Sequence, residues 1–189
     1  MPPVDYAKLA QRAYADAPTV GQPDSASRMH VYDGVHVFRG TDDFQSLIAD
    51  GDIAVIDVPG LGTIHAGFYK SLSTILPACL ALPRPTAIAG HSLGAAMAVL
   101  YAGVLALQGV VVPVYAFEPP RLAAGDTLNT LLIAHKVPWF ACRNGRDLIT
   151  QIPPVLAHAG PLTTIGHAVL PFDNLEDHSI ARVIDALTA

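Results

Sequence analysis

The stretch that most constrains this chain is Gly90-His91-Ser92-Leu93-Gly94, a Gly-x-Ser-x-Gly pentapeptide between the short apolar run Thr86 to Ala89 and the long helical run Ala95 to Gln108. A serine in that setting sits at a sharp turn from strand to helix, with a glycine two residues to each side keeping Cβ atoms out of the crossing. The turn lifts the hydroxyl above a sheet. It also aims a helix N-terminus at the place where negative charge would develop on a substrate. Such a turn needs a parallel strand, helix, strand crossover, and the residues around it supply one: strand Thr86 to Ala89, the helix to Gln108, and strand Val110 to Phe117.

Leu93 to Phe117 is long and apolar enough to suggest a membrane span. However, Gln108-Gly109 interrupts it, Pro113 follows, and its second half is rich in β-branched residues. A buried helix, a glycine turn and a buried strand account for it better. The composition agrees. With 51% hydrophobic and 14% charged residues, the balance of the 189-residue chain argues for a well-buried sheet rather than a disordered chain. A net charge of -5 gives no support to a nucleic-acid partner. Cys79 and Cys142 have no spacing that suggests a metal site or disulfide framework, and they read as buried thiols. The first twenty residues carry charges at helical spacing and no apolar signal core, so the expected location is cytoplasmic, or secreted as a mature form.

In chain order, the pattern predicts an amphipathic helix over Tyr6 to Ala15 and two strands, Met29 to Val31 and Val35 to Phe38, joined at Tyr32-Asp33-Gly34. A strand over Ile53 to Val58 follows, then a helix from His65-Ala66-Gly67-Phe68 to about Leu82. A strand over Lys136 to Arg143 and a helix over Ser179 to Leu187 complete the reading. No linker or repeat divides the chain, so residues 1–189 are read as one α/β domain.

A nucleophilic serine needs a base, an acid to orient that base, and donors for the oxyanion. In a parallel sheet these come from loops at the carboxyl ends of strands. Asp147 stands just past the strand Lys136 to Arg143. Glu118, at the end of the strand Val110 to Phe117, is its rival, or else a structural carboxylate paired with Arg121. Among eight histidines, His178 has the best setting as base: it lies in the polar loop Asn174 to His178 before the last helix, downstream of serine and acid alike. His158 and His167 lie in less defined segments. His91 reads as a packing and hydrogen-bonding residue turned away from the hydroxyl, and His65, Arg39 and Arg121 read as supports for loops.

Phe38-Arg39-Gly40-Thr41, His65-Ala66-Gly67-Phe68, Gly90 to Ala95, Phe117-Glu118-Pro119-Pro120-Arg121, Asp147-Leu148-Ile149 running to Ile152-Pro153-Pro154, and Asp177-His178 occur in the order in which the class 3, or fungal lipase-like, triacylglycerol lipase family carries such motifs. The chain resembles that family over most of its length. The resemblance implies an α/β-hydrolase fold in a compact version, with a mostly parallel central sheet flanked by helices. It implies hydrolysis of carboxylic esters of lipids, with Ser92 as nucleophile, Asp147 as acid, His178 as base, and the backbone N–H groups of Thr41 and Leu93 as the oxyanion hole. No cofactor and no metal would be required. The partner would be a lipid or small ester, with transient contact at a lipid interface and no nucleic acid. Residues 42–53 stand where the family carries its lid and suit a short amphipathic helix, equally a plain surface helix. Glu118-Pro119-Pro120-Arg121 departs from the family's commoner Gly-Ser-Pro-Arg. The same triad serves thioesters or amides, and a non-catalytic binding protein of the same fold is the remaining alternative.

Overall fold

The computed structural model describes residues 1–41 and 54–189. The segment read above as a lid or surface helix, residues 42–53, therefore lies outside the described residues. In chain order the elements are α1 (Pro3–Arg12), β1 (Val20–Gly21), β2 (Arg28–Tyr32), β3 (Val35–Phe38), β4 (Val55–Val58), β5 (Gly62–His65), α2 (Ala66–Leu80), β6 (Ala87–His91), α3 (Leu93–Leu107), β7 (Val114–Phe117), β8 (Ala123–Ala124), α4 (Thr127–Ala134), β9 (Trp139–Asn144), β10 (Thr163–Ile165) and α5 (Ile180–Thr188). Among the described residues a seven-stranded sheet runs β1-β2-β3-β6-β7-β9-β10, antiparallel from β1 to β3 and parallel from β3 onward. A small antiparallel sheet, β4-β5-β8, stands apart from it.

Alternation along the central strands feeds two cores, because successive side chains of a strand point to opposite faces. Ile88, Val114, Ala116 and Ala141 pack with the buried residues of α3, α2 and α4. Their sequence neighbours Ala87, Ala89, Phe117 and Cys142 pack with Tyr6, Ala7 and Ala10 of α1 and Val183 of α5. Helix α3 is buried on nearly every side, from Leu93 to Ala106. That is why its sequence reads as one continuous apolar run. No described helix is long and apolar enough to cross a membrane. Both cysteines are buried and free.

The second strand of the crossover is shorter than the apolar pattern suggests. It begins at Val114 rather than Val110, since Pro113 has no N–H to give the ladder and the Pro113 carbonyl instead accepts from Ile88 N–H at 2.8 Å. The Val55 to Val58 strand pairs with β5 in the small sheet, a partner set by the turn Pro59 to Leu61 and not by hydrophobicity, since Val55 and Ile56 are exposed.

Two histidines are sealed in the antiparallel part of the central sheet. His30 and His36 are buried, and burial holds both imidazoles below their ordinary value of 6.5. As pH falls below 6.5, the unfolded chain takes up protons that the folded chain refuses, so the stability these residues contribute is complete above 6.5 and lost below it. The melting temperature is expected to drop from about pH 7 to about pH 5, with a shallower drop in His36→Gln. Melting curves across that range check this, and identical slopes would remove His36 as a cause.

Candidate active site

Strands β3, β6, β7 and β9 run parallel, so their carboxyl ends open on one edge of the sheet. Thr41 follows β3, Ser92 follows β6, Glu118 follows β7, and Asp147 follows β9. The edge gathers in space residues that the chain keeps far apart.

Ser92 has φ 62° and ψ -128°, a left-handed backbone that a side chain adopts only under strain of about 1 to 3 kcal/mol. Its N–H donates to Phe117 O at 2.9 Å, and its carbonyl accepts from Ala95 and Ala96 N–H at 2.9 and 3.1 Å, fixing the turn at both ends. Two glycines make the turn possible. A Cβ on Gly90 would lie 2.2 Å from Gly94 O, and a Cβ on Gly94 would lie 2.1 Å from Phe38 O. The start of α3 thus rests directly on the end of β3. Ser92 is buried, and its Oγ makes no hydrogen bond among the described residues.

Gly40 is pressed in the same way. A Cβ there would come within 2.8 Å of His91 O and 3.3 Å of Ser92 Cβ. Thr41 is the next residue after that close passage. Leu93 is the first residue of α3, where the amide has no intrahelical acceptor.

Asp147 and His178 meet across two loops. Leu148 N–H donates to Asn174 O and Asn174 N–H to Arg146 O, both at 3.0 Å, a short parallel bridge that joins the segment after β9 to the segment before α5. Asp177 secures it: its carboxylate accepts from Arg146 N–H at 2.9 Å, Val169 N–H at 3.1 Å and Asn174 Nδ2 at 3.1 Å. Asn144 Nδ2 donates to Asp177 O at 3.0 Å. Within this knot, His178 Nδ1 stands 2.9 Å from Asp147 Oδ2, and Asp147 Oδ1 accepts from Ile149 N–H at 2.8 Å. Burial pushes the His178 imidazole well down, which keeps it neutral, with one ring nitrogen unprotonated. Burial also pushes Asp147 up, while the Ile149 N–H draws it back toward the ionised form.

His91 makes hydrogen bonds at both ring nitrogens, in line with its reading as a packing and hydrogen-bonding residue. Its Nδ1 lies 2.8 Å from Tyr14 Oη, its Nε2 lies 3.0 Å from Glu118 Oε2, and its ring is 4.8 Å from the His178 ring, centre to centre. Glu118 is buried, has φ 52°, and donates its N–H to Cys142 O at 2.8 Å. Burial raises its carboxyl well above the usual range and the nearby Asp147 adds to this, with the Asn144 amide acting in the opposite direction. The reading of Glu118 as a partner of Arg121 fails. Arg121 reaches Pro154 O and Gln151 Oε1 instead, holding the segment after β7 to the segment after Asp147. His65 caps α2, accepting from Phe68 N–H at 3.4 Å and stacking on the Phe68 ring. His158 Nε2 lies 2.9 Å from Thr150 O, close to the loop that carries Asp147.

The serine turn, the Gly40 passage and the imidazole on a buried carboxylate stand at one edge of a parallel sheet. The family model for Lipase (class 3) matches residues 35–157. The chain belongs to the class 3 lipase family. That is a family of carboxylic ester hydrolases with the α/β-hydrolase fold, and the observed mostly parallel sheet with helices on both faces is that fold.

Solved structures agree on the architecture. The lipase–propeptide complex of Rhizomucor miehei is 21% identical, with a TM-score of 0.68 over 93% of this chain and 76% of that one. The lipase from Rhizopus microsporus var. chinensis is 20% identical, with a TM-score of 0.68 over 90% and 75%. Lipase II from Rhizopus niveus is 23% identical, with a TM-score of 0.58 over 76% and 68%. At these identities the likeness concerns the fold. No curated protein matches the chain.

Two residues of this edge escape sequence reasoning as parts of the site. Tyr14 lies 77 positions from His91 and follows the end of the first helix, where nothing local marks it. Asn144 reads as an ordinary turn residue until its side chain is seen on the backbone of Asp177.

Proposed function

We propose that this class 3 lipase hydrolyses carboxylic esters of lipids through an acyl-enzyme on Ser92, with His178 as general base and Asp147 as the acid that orients it. The observation that carries this reading is the 2.9 Å approach of His178 Nδ1 to Asp147 Oδ2, one ring away from the residue preceding a strained, buried serine. With Nδ1–H directed at the carboxylate, the Nε2 lone pair is the basic one. His178 takes the Ser92 proton as Oγ attacks the ester carbonyl. The backbone N–H groups of Thr41 and Leu93 hold the developing oxyanion, each donor worth on the order of 3 kcal/mol in such sites. His178 then hands the proton to the departing alcohol, the ester C–O bond breaks, and the acyl group remains on Ser92. Water attacks that acyl group with His178 again as base, releasing the acid and restoring the serine. The Asp147 carboxylate favours the imidazolium at both steps.

The segments between Asp147 and His178 expose Val155, Phe172, Val169 and Leu175, apolar side chains suited to contact with a lipid surface. A fluorophosphonate probe is expected to label Ser92, with the adduct located by peptide mass spectrometry. Matched ester, thioester and anilide substrates should be cleaved in that order of preference, and an ester series should show a rate increase where the substrate forms an interface. Absence of labelling would sink the acyl-enzyme, a preference for anilide would sink the lipase reading, and saturation on soluble short esters would make the enzyme an esterase.

A further inference from the structure

The His178 imidazole faces two carboxyl groups. Asp147 Oδ2 lies 2.9 Å from Nδ1, and Glu118 Oε2 lies 3.6 Å from the same atom. The two acids come from the ends of neighbouring parallel strands, where Phe117 and Cys142 are in register. Glu118 is anchored by its N–H on Cys142 O and keeps a left-handed backbone that disfavours any side chain. Its Oε2 lies within 3.6 Å of one nitrogen on each of two imidazoles, His91 and His178.

We propose that Glu118 is a second orienting acid for His178, a positioning residue that takes over Nδ1 when Asp147 does not hold it. The inference rests on His178 being the general base. In the resting arrangement Asp147 is the carboxylate, and Glu118 keeps its proton on Oε2 and donates it to His91 Nε2. His91 then carries its own proton on Nδ1 and donates it to Tyr14 Oη. When Asp147 is removed, Glu118 releases its proton to solvent and its carboxylate accepts from His178 Nδ1–H. His91 shifts to the Nε2–H tautomer and donates to the same carboxylate, and the Tyr14 O–H turns to donate to His91 Nδ1. The hydroxyl serves both states because it is donor and acceptor at once. A glutamate that only paired His91 would not depend on Asp147 in this way.

The test is a cycle of Glu118→Gln, Asp147→Ala and the double variant, because coupling between two residues shows as non-additivity. On a short-chain nitrophenyl ester, Glu118→Gln is expected to cost at least about tenfold more in kcat/KM in the Asp147→Ala background than in the native one. In proton spectra of histidine-labelled protein, the downfield His178 Nδ1–H signal should persist in Asp147→Ala and vanish in the double variant. Equal costs in the two backgrounds, or loss of the signal in Asp147→Ala alone, would overturn the proposal. If Asp147→Ala does not fold, Asp147→Ser keeps a hydroxyl for the Ile149 N–H and carries the same cycle. Wild-type turnover by Ser92→Ala would defeat the acyl-enzyme separately, while the proton signal would still report whether Glu118 holds His178.

Discussion

Ser92→Ala is expected to lower kcat/KM on a short-chain nitrophenyl ester by a factor on the order of 10,000 or more, leaving the fold intact. The loss is large because, in the proposed mechanism, the hydroxyl is the atom that forms the bond to substrate, and His178 and Asp147 would have nothing to act on without it. Stability should barely change, because Ser92 Oγ makes no hydrogen bond among the described residues and the backbone bonds of the turn do not involve the side chain. Ser92→Gly should lose activity equally and be more stable than Ser92→Ala, since glycine accepts φ 62° without a clash. Active-site titration with thermal melting on the three proteins checks both statements. A Ser92→Ala protein at wild-type rates would mean that another residue is the nucleophile.

Gly94→Ala is expected to be, with Gly90→Ala, among the most damaging single methyls at this edge. The added Cβ would stand 2.1 Å from Phe38 O and 2.8 Å from Arg39 C, both backbone atoms of the strand end that leads to Gly40 and Thr41. Neither can move aside as a flexible side chain would, so α3 and β3 must part. Overpacking of this kind costs typically 1 to 3 kcal/mol, and with backbone on the receiving side about 3 kcal/mol is expected. Activity should fall further than stability, because separating α3 from β3 displaces the Leu93 amide and the Thr41 amide relative to each other. Chemical denaturation gives the first quantity and kcat at saturating substrate the second. A Gly94→Ala enzyme with unchanged kcat would show that the oxyanion donors lie elsewhere. Gly103, also in α3, meets only leucine side chains that can repack, so the same substitution there should cost less.

The α/β class was legible in the sequence for a local reason, and the family through the resemblance carried by its ordered motifs. The Gly-x-Ser-x-Gly turn, the wholly apolar helix behind it and the β-branched strand after it are dictated by steric and burial rules acting within a few residues, so sequence carries them directly. The ordered motifs from Phe38 to His178 added the rest. The strand β4 was legible within Ile53 to Val58, but its partners β5 and β8 and the short edge strand β10 were not. Strands of two to four residues in polar surroundings carry too few apolar positions to show a period, and their pairing is decided by neighbours distant in the chain.

At the site the division is sharper. The sequence by itself determined where a strained strand-to-helix turn carrying a serine sits, because Gly-x-Ser-x-Gly between an apolar strand and an apolar helix is a local pattern, and the close approaches at Gly90 and Gly94 are its steric basis. It also narrowed the acid to Asp147 or Glu118, since both stand at strand ends. Only the tertiary structure separates them, by distance: Asp147 is at hydrogen-bonding range of His178 Nδ1, and Glu118 is farther from that nitrogen and closer to His91, which is why the proposed mechanism gives the orienting role to Asp147. Composition and periodicity fix which residues are buried and on what element. The separation of two carboxylates from one nitrogen depends on how adjacent strands are staggered and how two loops are knotted by Asp177, and no local pattern encodes a sub-ångström difference of that kind.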